Sequence, residues 1–147
     1  MRQYGERIVA VWGTFDIVHA GHVHFLKAAR SEGTRLCAVV IPDEQVRENK
    51  GTAPIRTTEE RCRALLNTGL VDEVLIDSMS AGLRCLIERQ PDVFCLGYDQ
   101  ATEWEVELRS FLAAHLPSCR LQILPMFANG IHSRHLKAAP ITSPYTS

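Results

Sequence analysis

An α/β fold is predicted, with a five-stranded parallel sheet and helices on both faces. Three observations predict it. Five short apolar runs recur along the chain, and amphipathic helical patterns separate them. Each run is continuously apolar rather than alternating, which is how a strand covered on both faces reads.

Ile8 to Trp12 is the first apolar run. Gly13-Thr14-Phe15-Asp16 turns the chain, and His22 to Glu32 reads as a helix with Val23, Leu26 and Ala29 facing inward and Gly33 closing it. Leu36 to Ile41 is the second strand, ended by Pro42. Glu44 to Ile55 is polar and carries Lys50-Gly51 and Pro54, the composition of a loop. Thr57 and Glu60 form a capping box for a helix with Cys62, Leu65 and Leu66 on its inner face. Val71 to Ile76 is the third strand, and Leu83, Leu86 and Ile87 mark a helix that stops before Pro91. Val93 to Leu96 is the fourth strand, followed by Gly97-Tyr98-Asp99-Gln100. Trp104, Leu108, Phe111 and Leu112 mark a helix whose aromatics face the core, and Leu121 to Leu124 is the fifth strand. Ser133 can cap a short last helix. Strands and helices in this alternation make the doubly wound, Rossmann-like arrangement, in which ligands sit beyond the carboxyl ends of the strands.

A chain of 147 residues is one domain by length. Its expected extent is 1–139, with 140–147 a frayed tail. Lys plus Arg number 16 and Asp plus Glu 17, so no bulk positive charge speaks for nucleic acid. No apolar run reaches the length of a membrane span or of a signal-peptide core. The five cysteines, an odd number with no CxxC, sit mostly inside apolar runs. They imply a reduced, cytoplasmic setting and no disulfide framework.

The turn after the first strand is the chemically dense segment: Gly13-Thr14-Phe15-Asp16-Ile17-Val18-His19-Ala20-Gly21-His22. Gly13 and Gly21 admit a close backbone approach. The helix start supplies N–H groups and partial positive charge that suit phosphate. His19 and His22, three apart, can address one ligand, and a polyphosphate beside them favours their cationic form. A zinc reading of the pair would draw on His24, His132 and His135, but no carboxylate or cysteine stands at metal-site spacing.

This GTFDxxHxGH segment, in strand-turn-helix context, resembles the signature of the HxGH nucleotidyltransferases, the cytidylyltransferase-like family. The resemblance runs from Ile8 to about Leu136. It implies that His19 and His22 stabilise a transition state and that Thr14 and Phe15 contact a nucleotide. Lys50 and Arg61 match a lysine and an arginine that similar enzymes use on the triphosphate, where displaced pyrophosphate needs cations. The resemblance further implies nucleotide contacts from Gly97, Tyr98 and Asp99, and from Ile131, His132 and Ser133 near the end of the chain. It implies Mg²⁺ carried mainly by phosphates and a homodimer. The implied substrates are a nucleoside triphosphate and a phosphate monoester.

Two features vary the pattern. Gly69 stands before Leu70-Val71-Asp72-Glu73-Val74 where the cytidylyltransferase branch carries an arginine, and His132 stands where a serine is expected. Leu96-Gly97-Tyr98-Asp99-Gln100 is closer to the archaeal-type FAD synthetase branch. The leading expectation is CTP with a small polyol or amino-alcohol phosphate, such as glycerol 3-phosphate. The alternative is ATP with FMN, giving FAD. A reading of another class is a nucleotide-binding protein without turnover.

Overall fold

The computed structural model describes residues 5–125. The expected short helix at Ser133, the domain limit at 139 and the tail 140–147 lie outside the described residues, as do Ile131 and His132. In chain order the elements are β1 (Ile8–Gly13), α1 (Ala20–Arg30), β2 (Arg35–Val40), α2 (Asp43–Lys50), α3 (Thr58–Asn67), β3 (Glu73–Ile76), α4 (Arg84–Arg89), β4 (Val93–Gly97), α5 (Tyr98–His115) and β5 (Arg120–Leu124). The five strands form one sheet in the order β3-β2-β1-β4-β5, and every pairing is parallel. The predicted fold class is the observed one.

Alternation along β1 builds the two layers. Val9 and Val11 point to one face, where Phe25, Leu26 and Ala29 of α1 and Leu65 of α3 pack. Ala10 and Trp12 point to the other, against Leu86 of α4 and Leu108 and Leu112 of α5. β1 lies between β2 and β4, so the chain winds outward from it in both directions. The crevice of such a sheet opens at the carboxyl end of that central strand. Among the described residues no helix is long and apolar enough to cross a membrane.

Three local expectations are corrected. The polar stretch from Glu44 to Ile55 is not all loop: its first part is α2, with Pro42 before the first turn, Asp43 and Glu44 in that turn, and Arg47 and Lys50 in the last. These charges suit the helix dipole, and Gly51 ends the helix at φ 81°. Val46 is its buried residue, too little apolar surface for a periodic pattern. Leu66 is exposed, and buried Arg61 occupies the inner face of α3 with Leu65. Gly33 does not end α1; Ser31 does. A Cβ on Gly33 would lie 2.5 Å from the Arg7 carbonyl, so a close approach requires the glycine. Tyr98-Asp99-Gln100, which follow the fourth strand, form the start of α5.

Strand starts are tied down by two aspartates. Asp72 accepts the Leu36 N–H at 2.8 Å and pairs with Arg30 at 2.5 Å. Asp92 accepts the Ile8 N–H at 2.8 Å. The cysteines of the described core are free, as expected, and burial pushes the thiols of Cys37 and Cys95 up to about 12. Such thiols are not nucleophiles at neutral pH.

Candidate active site

At the end of β1 the chain leaves the sheet through Gly13 and Thr14. Gln100, at the start of α5, fastens this end to its neighbour: its amide donates to the Trp12 carbonyl at 2.8 Å and accepts the Gly97 N–H at 3.1 Å. A Cβ on Gly13 would stand 3.1 Å from the Phe15 ring and 3.4 Å from the Gln100 amide. Only glycine fits there without a shift. Phe15 follows at φ 53°, a left-handed conformation that turns its ring inward to the core.

The Phe15 ring lies 5.7 Å from that of His22, and His22 lies 4.2 Å from His19. The two histidines cap α1 reciprocally. His19 Nδ1 accepts the Gly21 N–H at 3.0 Å, and His22 Nδ1 accepts the His19 N–H at 3.3 Å. The hydrogen-bond network therefore assigns each neutral ring the Nε2–H tautomer. Two Nε2–H donors result from one capping arrangement. One expectation changes accordingly. The Gly21 amide is used for capping rather than offered to phosphate.

Arg61 is placed differently from the expectation. It is fully buried. Its guanidinium donates to the carbonyls of Thr14 at 2.8 Å, Ile41 at 2.7 Å and Arg56 at 3.1 Å, and pairs with Asp43 at 2.5 Å. These partners absorb the fork, so Arg61 joins the ends of β1 and β2 to the start of α2 rather than reaching into the cleft. Burial pushes the Asp43 carboxyl up, but hydrogen bonds from Arg61 and Thr58 outweigh it and hold the group below its usual value. Asp16 performs a parallel task, accepting the Ile55 and Arg56 amides at 2.8 and 2.9 Å.

Lys50 ends α2 and lines a small cleft with Gly13, Thr14, Asn49, Gln100 and Glu103. Desolvation by the cleft walls lowers its pKa, against the opposing pull of Glu103 and Asp16. The structure thus brings Gly13, Thr14 and Lys50 together directly. It sets His19 and His22 beyond the single ring of Phe15. Gly97 ends β4 next to β1, whereas Tyr98 is exposed and Asp99 half-buried outside the cleft lining. Sequence reasoning did not single out Trp12, Asn49, Gln100 or Glu103 for the site. The one signal was positional: Gln100 follows the Gly97-Tyr98-Asp99 segment at a strand end.

The cytidylyltransferase-like family model matches residues 10–138. The chain belongs to the cytidylyltransferase-like family. An FAD synthase of Pyrococcus horikoshii is 45% identical over 66% of this chain and 66% of its own length. One of Thermococcus kodakarensis is 41% identical over 73% of this chain and 72% of its own. The chain thus spans about two thirds of the length of these relatives. A crystal structure of a lipopolysaccharide core biosynthesis protein from Thermoplasma volcanium superposes with a TM-score of 0.70 at 32% identity, covering 82% of this chain and 96% of that one.

Proposed function

We propose that the protein is a nucleotidyltransferase that moves the adenylyl group of ATP onto the phosphate of FMN, forming FAD and releasing pyrophosphate. The observation that carries the transferase reading is the reciprocal cap of His19 and His22, which gives each ring an Nε2–H donor beside Phe15 in the turn that follows the central strand. The choice of ATP and FMN over CTP and a polyol phosphate rests on the resemblance to the FAD synthases. It reverses the order of the two sequence expectations.

The chemistry needs no covalent enzyme intermediate. The acceptor phosphate, largely dianionic at neutral pH, attacks the α-phosphorus of the triphosphate. The new P–O bond forms as the bond to the β-phosphate oxygen breaks, and pyrophosphate carries that electron pair away. Catalysis is positioning and charge stabilisation. His19 and His22 donate to the α-phosphate oxygens, where donors count most as charge develops. Lys50 neutralises the leaving group. Arg61 and Gln100 act through the backbone, holding Thr14 and Trp12 in place.

Mg²⁺ belongs to this reading as an ion held by phosphates. Among the described residues no three His, Cys, Asp or Glu side chains converge, and Asp16 is occupied by two amides. These residues make no cage for the ion, and no step is assigned to it. A homodimer is part of the same proposal, and analytical ultracentrifugation tests it.

A second reading keeps the chemistry and changes the acceptor to a sugar phosphate. The lipopolysaccharide core protein, matched over nearly its whole length, favours it. Pyrophosphate release, measured for four triphosphates against FMN, glycerol 3-phosphate and sugar phosphates, separates the readings. Release with ATP and FMN alone supports the first. Release with a sugar phosphate supports the second, and none with any pair leaves a binding protein without turnover.

A further inference from the structure

Lys50 and Glu103 reach one cleft from opposite sides of the central strand. Lys50 is the last residue of α2, the helix that follows β2, and Glu103 stands in the second turn of α5, the helix that follows β4. β2 and β4 flank β1 in the sheet. Gly13 and Thr14, at the end of β1, line the cleft together with both charged residues. A cation and an anion therefore bracket the strand end at which the proposed reaction places its phosphates.

The cleft walls desolvate the Lys50 ammonium, and Glu103, ahead of Asp16, pulls in favour of its charge. The two carboxylates are not equivalent. Asp16 spends its oxygens on the amides of Ile55 and Arg56, at 2.8 and 2.9 Å. Glu103 is exposed on α5, so its carboxylate can follow the ammonium or release it. The packing of α2 fixes the other end of that helix. There Asp43 pairs with Arg61 at 2.5 Å, and its N–H donates to the Thr58 hydroxyl at 3.1 Å. Lys50 itself is a compact charge on a flexible four-carbon stem, and its direction follows the nearest counter-charge.

We propose that Glu103 is the exchangeable counter-ion of Lys50: it holds the ammonium over the empty cleft, yields it to an entering polyphosphate and takes it back as pyrophosphate leaves. This deepens the nucleotidyltransferase reading and rests on its assignment of Lys50 to the leaving group. Glu103 is thus a positioning residue that acts through Lys50. A polyanion entering the cleft has to break the attraction between the two side chains, and it also meets the repulsion of the carboxylate. Glu103 therefore weakens polyphosphate binding and speeds the departure of the product.

The test is calorimetric titration of the intact protein with inorganic pyrophosphate at low ionic strength, where exposed charges are least screened. Glu103→Gln keeps the size of the side chain and removes its charge. It should bind pyrophosphate about fivefold more tightly, with an unchanged melting temperature. Glu103→Asp keeps the charge and should bind as the parent does. Lys50→Met should bind more weakly, and adding Glu103→Gln to it should tighten binding by less than about twofold, because most of the gain runs through the lysine. A purely structural residue would act in the opposite sense, weakening binding when replaced. A Glu103→Gln protein that binds pyrophosphate no more tightly than the parent overturns the proposal. So does the full gain in the Lys50→Met background, and so does a parent that binds no pyrophosphate. FAD formation is read separately on the same proteins. If the parent makes FAD while the gain or its dependence on Lys50 is missing, the counter-ion role is wrong and the activity stands. If both are present and no FAD forms, the counter-ion role stands and the choice of FMN falls.

Discussion

The buried guanidinium of Arg61 donates 2.8 Å to the carbonyl of Thr14, so the residue that follows the central strand is held in place from α3. The same side chain reaches Ile41 of the neighbouring strand end and Asp43 of α2. One cation therefore joins the floor of the crevice to the helix that carries Lys50.

Removing it should destabilise the fold rather than merely slow the enzyme. Arg61→Leu leaves the Asp43 carboxylate and three carbonyls without their donor, at a cost of about 1–3 kcal/mol for each acceptor left buried and unpaired. Arg61→Lys restores the charge but cannot reproduce the fork, and should recover only part of it. Urea denaturation measures both. An Arg61→Leu protein as stable as the parent would mean that Arg61 does not hold the crevice together.

Histidine at the two signature positions combines a structural and a chemical task, and one substitution separates them. Asn is a good N-cap but has no Nε2–H at the imidazole's reach. His19→Asn should keep the melting temperature within a few degrees and lower kcat by about 10²–10³. His22→Ala removes a buried ring as well as a donor and should lower both. Parallel losses of stability and rate in His19→Asn would show that the histidine acts only as a cap.

How much of this was legible in the chain follows from which interactions are local. The strands were legible because burial on both faces makes each a continuous apolar run. The turn from Gly13 to His22 was legible because its parts lie within ten residues on one strand-turn-helix unit. α2 was missed because Val46 is its buried residue and no apolar stripe exists, though Asp43 and Glu44 at one end and Gly51 at the other are proper start and stop signals. Arg61 was misplaced for a different reason. A charged residue in Glu59-Glu60-Arg61-Cys62-Arg63 reads as solvated, and its burial is decided by carbonyls of Thr14 and Ile41 that are remote in sequence. Gln100 and Trp12 meet the same obstacle, since their bond joins two separate strand ends.

Lys50 should matter to the triphosphate and little to the fold. It is exposed at the end of α2, and surface changes usually stay within about ±0.5 kcal/mol. Lys50→Met should raise the KM for ATP or lower kcat with an unchanged unfolding midpoint. A large fall in that midpoint would make Lys50 a structural residue.

The carboxyls of Asp43, Asp72 and Glu73 are all held below their ordinary values. For Asp43 and Asp72, burial acts the other way and is outweighed by hydrogen bonds and charge from Arg61 and Arg30 respectively; for Glu73 the Arg89 hydrogen bond is the main cause. Groups with depressed folded values stabilise above their unfolded pKa and lose that contribution as pH falls through the folded one. Stability from these three should be fully present above the ordinary values of 3.8 for Asp and 4.5 for Glu, and should be lost as pH drops below them. Denaturation midpoints measured from neutral pH downward check this. Glu73→Gln should flatten part of the acid limb, and an acid limb identical to the parent's would remove Glu73 from the set.

The most direct measurement offers the protein ATP and CTP together with FMN and glycerol 3-phosphate at equal concentration, with Mg²⁺, and identifies the products by mass. An adenylyltransferase that uses FMN yields FAD and an equal amount of pyrophosphate, both abolished in His22→Ala. Pyrophosphate appearing with a cytidylyl or sugar-type product and no FAD would contradict it.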